Sequence, residues 1–441
     1  MKSSVNRRRF VAASAALVTA PYVRGAHAAG KLSIGFWDHW VPGANDTMTA
    51  LCNEWAAKEK VEVSIDYITT QGNKLQLTIA AESQARSGHD ILQFPSWQPA
   101  DQAKSLEPVD DIMAELIKVN GAVNPTVQYL GRAGGHWVAV PATTGSQNKG
   151  PCSRLDLMKQ HAGLDLKAMY PAGAPPQADS WDLNAFLKAA EACHKAGVPF
   201  GIGIGQTTDS VDTAGAIFQS FGATLVDASG KITVKSDAVR QAVDYYKRLA
   251  QFLPPDVAAW DDASNNKWLI SGKGAMIFNP PSAWAVAKRD APQVAEQCWT
   301  HGMPKGPAGR FVPFLPFFWG VWNFSKNKAA ARSLLVHLSQ RSSVERLVAA
   351  SGGYDLPSFA KLLDFKTWAD EGPPKGTLFH YPNPYQHQIQ SVAAAPAPPK
   401  IAFQIYTQAT MTKMAVKHIQ GESMDKVLSW AESELEGFMR A

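Results

Sequence analysis

Cysteine is scarce, with four in 441 residues: Cys52, Cys152, Cys193 and Cys298. None belongs to a Cys-x-x-Cys pair or a Cys/His cluster, which argues against a structural zinc site. Cys52 and Cys193 fall in helical patterns with apolar neighbours, so buried free thiols are expected even in a compartment that permits disulfides. Long hydrophobic runs are missing as well. The most apolar stretch, Phe311 to Trp322, is twelve residues interrupted by Pro313 and Pro316, too short and too broken to cross a membrane as a helix. Net charge is absent from most of the chain. Lys2, Arg7, Arg8, Arg9 and Arg24 stand in the first 28 residues with no acid against them, and removing these five from the 43 basic residues leaves 38 against 38 acidic ones. That balance excludes a net cationic surface, so no nucleic-acid partner is expected. No His-Glu-x-x-His and no Gly-x-Ser-x-Gly occurs, which disfavours zinc and serine hydrolases. The run Gly201-Ile202-Gly203-Ile204-Gly205 lacks the sixth-position glycine of a dinucleotide fingerprint.

What is present begins with an export signal. Asn6-Arg7-Arg8-Arg9-Phe10-Val11 puts paired arginines ahead of a short Ser/Thr/Ala-rich apolar stretch, and Ala26-His27-Ala28 supplies a small-x-small cleavage pattern. Residues 1–28 therefore read as a twin-arginine signal peptide and the mature chain as starting at Ala29, in the periplasm. The remainder is 45% hydrophobic over the whole chain, too apolar for disorder and long enough for two or three domains.

From Lys31 onward, short β-branched or aromatic runs alternate with amphipathic helices, the pattern of α/β layers. Strands are expected at Leu32 to Trp37, Val61 to Tyr67 and Asp90 to Phe94, with helices at Asn45 to Lys58 and Lys74 to Arg86. Further helices follow a cap at Ser180 or Asp179, start at Ser236, and run through Ala330, Leu334 and Leu338. The stretch Ala393 to Pro399 reads as a surface loop. In open α/β sheets, ligands sit beyond the strands' carboxyl ends.

The order of segments carries a resemblance. Leu106-Glu107-Pro108-Val109-Asp110-Asp111, Gly135-His136-Trp137-Val138-Ala139-Val140-Pro141, Ser180-Trp181-Asp182, Ser271-Gly272-Lys273-Gly274-Ala275-Met276, Pro304-Lys305-Gly306-Pro307 and Ser325-Lys326-Asn327-Lys328-Ala329 follow one another collinearly. Together they resemble the family 1 extracellular solute-binding proteins, the maltose-binding-protein class. One departure is that Cys152-Ser153-Arg154-Leu155-Asp156 stands where the family usually has Tyr-Asn-Lys-Asp. The resemblance implies an α/β, two-lobed periplasmic binding protein fold of class II type, its lobes joined by crossing hinge strands. Lobe 1 would comprise 29–144 and 313–353, and lobe 2 145–312 and 354–441. It also implies a monomer without cofactor, metal or catalytic residues. Such a receptor closes on a solute and delivers it to the membrane permease of an ABC importer.

Within that frame, Trp37-Asp38-His39-Trp40 ends the first strand. Indole faces cover the apolar faces of a sugar ring while a carboxylate and an imidazole bond its hydroxyls, so this cluster suits a sugar or polyol. Ser96 and Trp97 follow the third strand and face the same side. Asp209, in the polar Gln206-Thr207-Thr208-Asp209 loop, is placed to take a hydroxyl. Relatives stack a tryptophan from the loop matching Asn279 to Trp284, which makes Trp284 the first choice on lobe 2, followed by Asn279. Phe318 and Trp319 lie where the chain re-enters lobe 1, Tyr354 follows the family's Gly-Gly turn, and Tyr406 opens a late helical region where relatives carry another aromatic. Other solutes remain open, among them a polyamine, held by several carboxylates against aromatic faces, or glycerol phosphate. A secreted glycoside hydrolase would instead need two carboxylates about 5–10 Å apart.

Overall fold

The computed structural model describes residues 30–41, 43–170, 177–371 and 388–440; the expected signal peptide lies outside the described residues. Strand β1 (Lys31–Trp37) pairs in parallel with β2 (Glu62–Ile68) and with β3 (Ile91–Pro95). Helices Ala44–Glu59 and Lys74–Ala85 make the two crossovers. All five elements fall within two residues of the sequence expectation. β1 is largely buried on both faces, Leu32, Ile34 and Phe36 on one and Gly35 and Trp37 on the other, as a parallel strand between helical layers must be.

A small hairpin, β4 (Arg132–Ala133) and β5 (His136–Trp137), precedes the long strand β6 (Val140–Asn148). Two residues later the chain enters a second sheet as β7 (Pro151–Arg154), flanked antiparallel by β8 (Met276–Phe278) and β9 (Cys298–Thr300). β10 (Phe311–Val321) returns to the first sheet, antiparallel to both β3 and β6, and β11 (Ile389–Ser391) pairs with its first residues. The β6/β10 pair is thus the double strand by which the chain passes between the two sheets. Its register shifts between Leu315 and Phe317, around Pro316, a residue with no N–H to give a ladder. The run of Phe311 to Trp322 is therefore mostly buried strand. Among the described residues, no helix is long and apolar enough to cross a membrane.

Local chemistry explains the helix starts. Ser236 accepts from Val239 N, as expected, at the head of Asp237–Ala250. The cap of Leu183–Lys195 is Asp182, not Ser180 or Asp179: its Oδ1 accepts from Asn184 N at 2.9 Å and Ala185 N at 2.7 Å. Ala393 to Pro399 is not a surface loop. Ala393 and Ala397 are fully buried, Ala393 lies against Gly215, where a Cβ would meet it at 2.5 Å, and the Ala393 carbonyl accepts from Trp97 Nε1. Small side chains there serve close packing. The chain also stays on the first sheet's side beyond Gly353, since Asn124 N donates to Ser358 O and Ala360 N to Ala122 O. All four cysteines are free and buried.

Candidate functional site

Parallel pairing brings the carboxyl ends of β1, β2 and β3 to one edge, and that edge faces helix Thr208–Ser220 and the β8 end of the second sheet. The near wall is aromatic. Trp37 lies with its ring centroid 4.7 Å from His39, 5.4 Å from Phe317 and 6.0 Å from Tyr354. The fully buried Gln93 holds this wall, accepting from Trp37 N at 3.0 Å and donating to Thr144 O. His39 Nδ1 accepts from Val41 N, which leaves Nε2 to carry the proton and donate to Asp355 Oδ1 at 3.1 Å. The same carboxylate oxygen accepts from Gly145 N at 2.7 Å, tying the tail of β1 to β6. Gly145 adopts a left-handed φ of 89°, and a Cβ there would meet Phe317 at 3.0 Å and Trp37 at 3.1 Å.

The far wall is polar and charged. Lys149, one residue past β6, is almost completely buried, with Nζ 2.9 Å from Asp209 Oδ1 and 2.5 Å from Asp212 Oδ2. Burial works against its charge, but the two carboxylates outweigh burial and its pKa is raised. Burial pushes Asp212 upward despite Lys149. Asp209 Oδ2 accepts from Asn265 Nδ2 at 3.0 Å and from Asn279 Nδ2 at 2.9 Å. Asn279 adopts a left-handed φ of 96° at the start of helix Pro280–Asp290, a conformation asparagine tolerates. Asp262 accepts from Asp209 N at 3.2 Å, and burial, reinforced by Asp209, pushes its pKa up to about 6.

Between the walls is an inner cavity, about 450 Å³ with the space open to solvent counted, lined by Trp37, Trp40, Gln76, Gln147, Phe317 and Tyr354 on one side and by Thr208, Asp209, Asp262 and Asn279 on the other. An outer cavity of about 920 Å³ follows, with Trp97, Tyr406 and Phe403 among its lining. An aromatic face opposite hydrogen-bonding groups can hold a small polar solute.

The model of the bacterial extracellular solute-binding proteins matches residues 50–373. The chain belongs to this family. A probable ABC transporter-binding protein of Deinococcus radiodurans is 26% identical over 232 residues, 49% of this chain and 52% of that relative, so the match spans about half of its length. Among solved structures, maltose-bound MalE3 of T. maritima superposes with a TM-score of 0.74 at 16% identity, covering 92% of this chain and 99% of that one. A solute-binding protein of Thermotoga lettingae bound with α-D-tagatose gives 0.70 at 16% identity, covering 93% and 100%. These likenesses bear out the two-lobed α/β fold.

In this solute-binding protein, Trp37, Trp40, Asp209, Asn279 and Tyr354 line the inner cavity, while Trp97 and Tyr406 line the outer one. The other sequence candidates lie elsewhere. Asp38 is exposed and accepts from Asn45 Nδ2. His39 sits behind the wall as described. Ser96 is buried with φ 47°, its N–H donating to Pro316 O. Trp284, on helix Pro280–Asp290, packs against the small core of Cys152, Leu269 and Ile277 rather than into the cavities, with Lys288 Nζ 5.7 Å from its ring centre. Phe318 is paired opposite Phe94, and Trp319 lies 6.3 Å from Phe36; both are core of the first sheet. Phe317 reaches the cavity instead, because the shift at Pro316 decides which side each residue of the Phe-Phe-Trp run takes. Sequence reasoning missed Lys149, Asp212, Asp262, Gln76 and Gln147. Their polar side chains carry no periodic signal; only the Asp261-Asp262 pair just ahead of helix Ser264–Ile270 was available as a hint.

Proposed function

We propose that the chain is the periplasmic receptor of an ABC importer, capturing a sugar or polyol between its lobes and passing it unchanged to a membrane permease. The observation that carries this reading is the aromatic wall of Trp37, Trp40 and Tyr354 facing Asp209 and Asn279 across the inner cavity. Aromatic faces suit the apolar C–H faces of a ring, and the opposite wall suits its hydroxyls. Trp37, Trp40, Tyr354, Asp209 and Asn279 form the inner contact set, with Trp97 and Tyr406 nearer the mouth. The names of the maltose- and tagatose-bound neighbours support a carbohydrate. Lobe 1 is built on the first sheet and lobe 2 on the second, with the β6/β10 pair as hinge. No group on either wall is assigned a catalytic role, and the receptor works as a monomer.

A thermal-shift panel of mono- and oligosaccharides, polyols, amines and anions on the purified mature protein tests the reading. A stabilising carbohydrate or polyol is expected. Stabilisation by anions alone would overturn it, as would turnover of a glycoside abolished by one carboxylate substitution.

A further inference from the structure

The two walls of the cavity are unequal in charge. Its far side gathers three carboxylates, Asp209, Asp212 and Asp262, against one cation, Lys149. Lys149 is taken by Asp209 and Asp212. Asp262 accepts from the backbone N–H of Asp209 at 3.2 Å and lies 3.5 Å from Thr208 Oγ1, and among the described residues it makes no ion pair. Among the described residues, neither arginine nor lysine lines the inner or outer cavity; Lys149 lines the adjoining pocket together with Asp209 and Asn279.

The uncharged groups point the same way. Asn279 is 6% exposed and Gln147 5% exposed, both line the inner cavity, and Asn279 Oδ1 and Gln147 Oε1 are buried without a hydrogen-bond partner. The amide orientation of Asn279 is fixed, because its Nδ2 donates to Asp209 Oδ2. Asn279 Oδ1 is therefore an acceptor at the cavity wall that lacks a donor. Buried acceptors left unmatched are costly, and a buried unpaired carboxylate more so.

Resting on the sugar-receptor reading, we infer that the solute carries a protonated amine, as an amino sugar or an aminopolyol does, with its ammonium beside Asp262 and against the aromatic wall. An ammonium brings three donors and no acceptor, satisfying Asp262 and an amide oxygen at once. Trp37, Trp40 and Tyr354 add the negative faces that attract a cation. Hydroxyls also donate, but they leave the surplus negative charge uncompensated, and a sugar phosphate would add to it. Burial and the like charge of Asp209 push Asp262 upward, and Lys149, held by Asp209 and Asp212, offsets this only in part.

The test is calorimetric titration of the mature protein with matched pairs at neutral pH: glucosamine and glucose, galactosamine and galactose, 1-amino-1-deoxysorbitol and sorbitol, and the glucosamine dimer with cellobiose. The best amine should bind at least about tenfold tighter than its hydroxyl partner, a modest expectation for a desolvated cation beside a carboxylate and aromatic faces. Asp262→Asn should erase that preference while keeping the thermal midpoint at neutral pH at or above the wild-type value. Hydroxyl partners binding as tightly as amines, or a preference that survives in Asp262→Asn, would overturn the inference and leave the sugar receptor intact. A panel in which no member binds counts against both.

Discussion

Trp40 and Trp284 separate two uses of an indole. Trp40 is half-buried on the inner cavity, whereas Trp284 packs against a core cluster. Trp40→Ala should cost about 2–4 kcal/mol of binding, roughly 30- to 800-fold in Kd, with little change in Tm. Trp284→Ala should lower Tm and leave affinity nearly unchanged; calorimetry and thermal unfolding on both variants check the contrast. Asp262 makes a pH prediction of unusual sign. Its native pKa of about 6 lies above the ordinary 3.8, so the native state holds the proton more tightly than the unfolded chain. Stability of the unliganded protein should therefore fall as pH rises from about 4 to 6, by at most about 3 kcal/mol from this group. Burial sets most of that shift, Asp209 adds to it and Lys149 opposes it, while Asp212, also raised by burial, contributes to the pH dependence in the same direction. The part due to Asp262 is the difference between wild type and Asp262→Asn, followed by thermal unfolding across that range. At this scale the sequence was half legible. Trp37 and Trp40 could be read because two tryptophans closing a strand are hard to bury together, but Lys149 and Asp262 meet only through tertiary folding.

Among the elements, the β6/β10 pair has the most to explain. It links the two sheets, and its shift at Pro316 turns Phe317 to the cavity and leaves Phe318 and Trp319 in the core. No hydrophobic pattern encodes that choice, since all three residues are aromatic. Crossover helices and parallel strands were legible because short β-branched and aromatic runs alternate along the chain with segments of helix-forming residues. The Ala393 to Pro399 run was misread since small residues mark close packing as well as loops. Gly145 is the sensitive point of the pair: with φ at 89° and Phe317 and Trp37 at contact distance, Gly145→Ala should destabilise the protein by about 1–2 kcal/mol or more. Urea unfolding measures this, and an unchanged midpoint would show that the wall relaxes around the new methyl.

For the whole molecule, two lobes and a cleft between them suit a receptor that is exported, binds and closes. Folded export through the twin-arginine route predicts that replacing Arg7 and Arg8 by lysine keeps the protein in the cytoplasm; unchanged periplasmic yield in fractionated cells would assign it to the general secretory route. The collinear family segments made the fold legible across nearly the whole mature chain, whereas the identity of the solute depends on wall contacts brought together from residues 37 to 406. The most direct measurement is calorimetric titration of the mature wild type, Trp40→Ala and Asp209→Asn with the solute selected by the panel, followed by recovery of that solute. One solute per chain, bound to the wild type, weakened by both substitutions and recovered unchanged, is the expected result. Equal affinity in all three proteins, or a chemically altered solute, would contradict the account.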